Sequence, residues 1–279
     1  MGKELFGKDE DSKELYSIAN KALGFDITKL CFEGPLEELS KTEIAQPAIL
    51  LCSVIAYRKW QKENEGLKLE FAAGHSLGEY SALVAGEAIS LEDALVLVNK
   101  RGKYMQEAVP SGKGAMLAVL GVEEAELKDA CEKINGIVEI ANLNAPGQIV
   151  VSGEKEPVLE LKEIFPGKKL IELNVSAPFH SSLMKPAADK LAIDLDNTEI
   201  KESKFPIISN VSANYISNPD QIREALKKQV CGSVRWTESM QLALKETESL
   251  KAIEFGNGKI LSGLIKRIER KFPVEQFAG

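Results

Sequence analysis

The strongest chemical signal in this chain is Gly74-His75-Ser76-Leu77-Gly78. It follows an extended apolar stretch, Leu67–Ala73, and precedes a helical one, Glu79–Glu87. A strand that turns tightly into a helix is the setting in which Gly-x-Ser-x-Gly becomes a nucleophile elbow. The flanking glycines are expected to let strand and helix backbones pass where a Cβ would clash. Ser76 then stands at a helix N-terminus, whose free N–H groups favour developing negative charge. A serine hydroxyl is a weak nucleophile until a base takes its proton, and the sequence offers only two histidines. His75 adjoins Ser76 in the turn, where successive side chains diverge, so it is poorly placed to receive that proton. His180, in Ser176-Ala177-Pro178-Phe179-His180, is the remaining partner.

A third candidate, Arg101, lies mid-helix in the cationic run Asn99–Met105. A solvated helix face explains such a run as readily as a site does. The bulk properties narrow the class. A chain of 279 residues buries a full core, and its net charge of −7 argues against a nucleic-acid partner. Four scattered cysteines, Cys31, Cys52, Cys131 and Cys231, support neither a metal nor a disulfide framework and read as free thiols of a reducing cytoplasm. The N-terminus is charged throughout and is no signal peptide. The longest apolar run, Ala48–Tyr57, is too short to cross a bilayer.

Periodicity supplies the elements that must position these residues. Ser12–Leu23 reads as a helix ended by Gly24, followed by a polar connection through Gly34-Pro35. Pro47 is expected to open a buried helix to Gln61. Ser90-Leu91-Glu92-Asp93 looks like a capping box starting a helix to Val109. From Gly114 the texture changes to strand 114–120, helix 123–134, strands 137–142 and 148–151, helix 156–165 and strand 169–175. That order is βαββαβ, the ferredoxin-like unit, inserted between Ser76 and His180. Afterwards come helix 184–195, strand 206–211, helices 219–230 and 233–246, strand 250–255 and helix 259–270. Strands alternating with helices imply a mainly parallel sheet covered on both faces, with function at the strands' carboxyl ends. The expected architecture is α/β: a large hydrolase-like (patatin-like) subdomain, residues 1–112 and 177–279, with a ferredoxin-like small subdomain at 113–176.

The segment Gly74–Leu83 is joined by further motifs. These are Gln46-Pro47-Ala48-Ile49, Lys100–Pro110, Asn144-Ala145-Pro146-Gly147-Gln148, Ser176–Pro186, Val234-Arg235-Trp236-Thr237 and Leu261–Arg267. Together they resemble the malonyl-CoA:acyl carrier protein transacylase family of bacterial fatty-acid synthesis, from residue 1 to about Arg270. The resemblance implies that Ser76 is acylated by malonyl-CoA and passes the group to the phosphopantetheine thiol of acyl carrier protein. It implies His180 as general base and acid, held by the backbone carbonyl of Gln229 in place of a third carboxylate. It further implies the Leu77 N–H as oxyanion donor, Arg101 as bidentate partner of the malonyl carboxylate, and Met105 and Phe179 as walls of the acyl pocket. No cofactor or metal is implied, only the CoA thioester substrate and the carrier partner. A cytoplasmic monomer without membrane or nucleic-acid contacts is expected, with Lys185, Arg235 and Lys266 either docking residues for the carrier or plain solvated surface.

Three departures from the family pattern stand out. A strand ending in a glutamine-bearing loop, which would supply a second oxyanion donor, is expected upstream of Met1. Gly256-Asn257-Gly258 replaces the usual Gly-Pro-Gly, and the tail Lys271–Gly279 matches nothing in the family. Two alternatives stay open: a patatin-type esterase or thioesterase, which shares the elbow, and a weakly active or inactive carrier-binding form lacking the N-terminal oxyanion segment. Arg101 discriminates against the first, since a lipase has no use for a cation in its acyl pocket.

Overall fold

A computed structural model of the chain describes residues 2–3, 10–249 and 251–278. The start of the resemblance at residue 1 and Leu250 of the last expected strand lie outside the described residues. The first described helix is α1, Glu10–Leu23. The expected polar connection instead contains two short helices, α2 (Ile27–Glu33) and α3 (Leu36–Leu39), the former capped by Asp26 accepting from Lys29 N.

Helix α4 runs from Thr42 to Glu63, so Pro47 sits inside it and does not open it. Proline has no N–H for the carbonyl four residues back. Here that carbonyl, Glu43 O, accepts instead from Asn99 Nδ2 at 2.7 Å. Asn99 belongs to α6, Leu91–Glu107, which follows β1 (Ala72–Ala73) and α5 (Leu77–Ala85). Helices α4 and α6 approach closely at Gly102, where a Cβ would lie 2.6 Å from Glu43 Cα. The capping box forms as read: Ser90 Oγ accepts from Asp93 N at 3.0 Å and donates to its carboxylate at 2.7 Å.

Residues 114–172 form β2 (Gly114–Leu120), α7 (Glu124–Lys133), β3 (Val138–Ala145), β4 (Gln148–Glu154), α8 (Lys155–Ile164) and β5 (Lys169–Glu172). Their four strands make one antiparallel sheet in the order β3-β4-β2-β5. The inward alternation of β2 and β4 packs against α7 and α8 as a core of its own, around Leu117, Val119, Leu127, Val151, Val158 and Leu161.

Helix α9 (Lys185–Asp196), strands β6 (Ile207–Ile208) and β7 (Tyr215–Ile216), α10 (Pro219–Gln229), α11 (Trp236–Glu246), β8 (Ala252–Phe255), α12 (Ile260–Ile268) and β9 (Val274–Phe277) complete the chain. The sheet carrying the elbow is mixed: β1 pairs parallel with β6, and β7, absent from the sequence reading, adds to β6 antiparallel. The strand expected over Leu67–Ala73 narrows to Ala72–Ala73, because only those two residues meet a partner in Ile207–Ile208. The unmatched tail has a structural role, since β9 pairs parallel with β8. Helix α11 starts three residues later than expected because Val234 is used elsewhere: it donates to Ala141 O and accepts from Leu143 N, stitching β3 to the large core.

Candidate active site

Ser76 occupies the bend between β1 and α5 with φ 51° and ψ −106°. A non-glycine residue held at positive φ stores strain, and such strain clusters at functional sites. His180 shares the feature, with φ 58°. Gly74 is required by crowding: a Cβ there would lie 1.9 Å from the Gly78 carbonyl. Gly78 itself faces open space, so the expected clash applies to the first glycine alone. The strained serine is anchored by Asn210, whose Oδ1 accepts from Ser76 N at 2.6 Å and whose Nδ2 donates to Gly74 O at 2.7 Å.

Across the cleft, Ser76 Oγ lies 2.8 Å from His180 Nε2. His180 Nδ1 faces two oxygens that can only accept, Gln229 O at 2.9 Å and Gly232 O at 3.1 Å. Nδ1 must therefore carry the proton, and Nε2 is left as an acceptor for the serine hydroxyl. Burial, with the Arg101 charge adding to it, pushes the imidazole down to about 3, so it is neutral and basic in form at neutral pH. His75 turns away, its Nε2 meeting Asn144 Oδ1 of β3 at 2.8 Å and its ring tilted against Trp236.

Arg101 is not on a solvated face. It is 2% exposed, while Lys100 beside it points outward to Asp194 at 2.5 Å. The guanidinium donates to Ser76 Oγ at 2.9 Å, Gln46 Oε1 at 2.7 Å and Gln229 Oε1 at 3.1 Å. All three acceptors are neutral, and its Nε–H has no partner among the described residues. Burial lowers its affinity for its proton, opposed by Tyr80 and Glu79. Leu77 is the first residue of α5, so its N–H has no acceptor within the helix. Phe179 is partly buried against the core, and Met105 is buried within it.

Four further residues complete the cluster, and none was assigned a site role from the sequence, although Gln46 and Glu79 lie within motifs that carry the resemblance: Asn210, Gln46, Gly232 and Glu79. Glu79 is fully buried one turn into α5 and accepts through Oε2 from Asn210 N at 3.0 Å and Gln229 Nε2 at 2.8 Å. Burial raises its carboxyl to about 7 against those two hydrogen bonds and the Arg101 charge. A charged residue on the otherwise apolar run Leu77–Val84 was the available signal. His180 opens on a cleft of about 810 Å³ lined by Glu139, Ile140, Ser182, Gly232 and Arg235. Arg235 is engaged with Glu238, and Lys185 with Asp189. Among the described residues no three His, Cys, Asp or Glu side chains converge to hold a metal, no helix is long and apolar enough to cross a membrane, and all four cysteines are free.

A strained serine on an elbow, a neutral histidine oriented by carbonyls and a buried cation beside the serine hydroxyl thus meet in one hydrogen-bonded cluster, the donor and acceptor arrangement that serine acyl transfer requires. The acyl transferase domain family matches residues 1–260 of the chain. The malonyl CoA-acyl carrier protein transacylase of Bacillus subtilis (strain 168) is 45% identical over 277 residues, covering 97% of this chain and 86% of that protein. The solved structure of the transacylase of that name from Coxiella burnetii superposes with a TM-score of 0.94 at 39% identity, over 100% of this chain and 89% of that one. A type II PKS acyl-carrier protein in complex with its malonyl-transacylase gives a TM-score of 0.91 at 40% identity, over 98% and 88% of the two chains. The chain belongs to the acyl transferase family and, within it, to the malonyl CoA-acyl carrier protein transacylases.

Proposed function

We propose that the protein transfers a malonyl group from malonyl-CoA to the phosphopantetheine thiol of an acyl carrier protein through a malonyl-Ser76 ester. The observation that carries this reading is the Arg101 guanidinium, buried 2.9 Å from Ser76 Oγ with only neutral acceptors around it. A buried cation without an anionic contact is costly unless a ligand supplies one. The malonyl carboxylate is such an anion. An acetyl or fatty acyl group is not, which weighs against a patatin-type esterase. The hydrogen-bonded dyad weighs against a carrier-binding module without catalysis.

The steps follow from the donor and acceptor pattern. His180 Nε2 takes the Ser76 proton as Oγ attacks the thioester carbonyl, and the Leu77 N–H stabilises the oxyanion at the α5 N-terminus. The Nε2 proton then passes to the departing CoA sulfur. Once Oγ is esterified it is a poor acceptor, and the Arg101 N–H it held turns to the acyl carboxylate. The carrier thiol reverses the sequence: His180 takes its proton, sulfur attacks the ester, and Ser76 leaves with the proton restored. Gln229 O keeps the imidazole in its tautomer throughout, and Met105 and Phe179 wall the acyl pocket. Neither metal nor resident cofactor takes part.

Residues 113–176 are read as a ferredoxin-like subdomain inserted in a hydrolase-like large one formed by 1–112 and 177–279. The antiparallel order β3-β4-β2-β5 and the separate core support this. A cytoplasmic monomer meeting its carrier at the cleft mouth completes the reading. Intact-mass measurement tests it: malonyl-CoA should add one malonyl group on the Ser76 peptide, and holo carrier protein should remove it. Hydrolysis in place of transfer would favour the esterase.

A further inference from the structure

We propose that Glu79 is a positioning residue of the dyad, fixing through one carboxylate oxygen both the support of Ser76 and the support of His180; this rests on the Ser76–His180 assignment above. Two separate pieces of the site converge on that oxygen. Asn210, which donates its backbone N–H to Glu79 Oε2 at 3.0 Å, carries the side chain that holds the strained Ser76 N–H and Gly74 O. Gln229, which donates Nε2 to the same oxygen at 2.8 Å, also donates to Ser76 O at 3.0 Å. Its backbone oxygen orients His180 and its side-chain oxygen accepts from Arg101. Glu79 thus sits two hydrogen bonds from the nucleophile, the base and the cation at once, although it touches none of the reacting atoms.

The choice of residue has a physical logic. Asn210 N and Gln229 Nε2 are both donors, so the atom between them must only accept. A carboxylate oxygen meets that demand, and helix α5 delivers it from the turn that follows the nucleophile. The other oxygen, Oε1, is buried without a partner among the described residues. A side chain present only for stability would be poorly chosen, because burying half a carboxyl unpaired is unfavourable. Protonation at Oε1 leaves Oε2 accepting both bonds, so the anchor survives either charge state. Without it, the Gln229 amide and the 209–211 backbone lose their common fixed point, and misplacements of about 1 Å between reacting groups can cost about 10²-fold in rate.

The test uses a fluorophosphonate, which labels an activated serine and carries no malonyl group, so its outcome is separate from the identity of the acyl substrate. Glu79→Ala should slow labelling of Ser76 by about 10²-fold. Glu79→Gln, which keeps an oxygen acceptor at that place, should recover most of the rate. The Nδ1 proton of His180, held between two carbonyls, should give a downfield, exchange-protected proton resonance identified by its loss in His180→Ala. Glu79→Ala should broaden or shift it, and Glu79→Gln should retain it. If Glu79→Ala lowers the melting temperature yet keeps both the labelling rate and the resonance, the residue is structural and the proposal fails. Should that variant not fold, Asn210→Ala decides: loosening the serine half alone should slow labelling and spare the resonance. Unchanged labelling in Asn210→Ala, or a Glu79→Gln enzyme as slow as His180→Ala, overturns it.

Discussion

Removing Arg101 should cost malonyl transfer far more than acetyl transfer. The side chain is 2% exposed and donates to Gln46, Gln229 and Ser76. In Arg101→Ala a malonyl carboxylate enters the same enclosed site with no charge partner, a loss of about 3–5 kcal/mol, or about 10²–10⁴-fold in acylation rate. Acetyl transfer is not spared, because the charge-assisted hydrogen bond to Ser76 Oγ disappears for every substrate. That bond is worth about 1.5 kcal/mol, or roughly tenfold. The malonyl-to-acetyl preference should therefore fall by about ten- to several-hundred-fold, the ratio of those two losses. Single-turnover acylation by malonyl-CoA and acetyl-CoA, followed by intact mass, measures it directly. Arg101→Lys, which keeps the charge but not the fork that reaches both glutamines, should fall between and guards against misfolding of the alanine variant. An equal loss for both thioesters would refute the reasoning and make Arg101 a structural cation.

Ser76→Ala should abolish the acyl-enzyme seen by mass while leaving the melting temperature nearly unchanged or raised, since it deletes one oxygen at a strained turn. His180→Ala should slow both half-reactions by about 10²–10⁴-fold, whereas His75→Ala, whose ring meets Asn144 and not Ser76, should cost far less; the reverse order in a thiol-release assay would show the dyad to be misassigned. Because burial and Arg101 hold His180 down to about 3, the acid limb of single-turnover acylation should lie well below the ordinary histidine value of about 6.5, and a limb at that value would count against the geometry. Between those pH values the unfolded chain binds the extra proton, so this group's contribution to stability is complete above about 6.5 and is lost as pH falls through about 3. Melting temperatures across that range should show a shallower slope in His180→Ala.

Much of the chemistry was legible in local sequence. The Gly74–Gly78 motif marked a strand-to-helix turn, and the scarcity of histidines pointed to His180, which the fold brings 2.8 Å from Ser76 Oγ. Strand and helix periodicity recovered the βαββαβ order of residues 114–172, with three strand ends misplaced by three residues, because each of those elements carries its own apolar face. Tertiary structure decided what local pattern cannot encode. Arg101 and Lys100 are neighbours in one cationic run, yet one is buried and the other pairs with Asp194; which face of α6 turns inward depends on α4 packing against Gly102. Pro47 lies within a helix because Asn99, on another helix, satisfies the carbonyl it frees. Strand β7 needs β6 as its partner, and the tail strand needs β8. Glu79 lies more than a hundred residues from Asn210 and Gln229, and those two look like ordinary polar residues in their own windows. Hydrogen-bond partners in a buried site are set by which backbones the core brings within about 3 Å, and that distance exists only after the chain has folded.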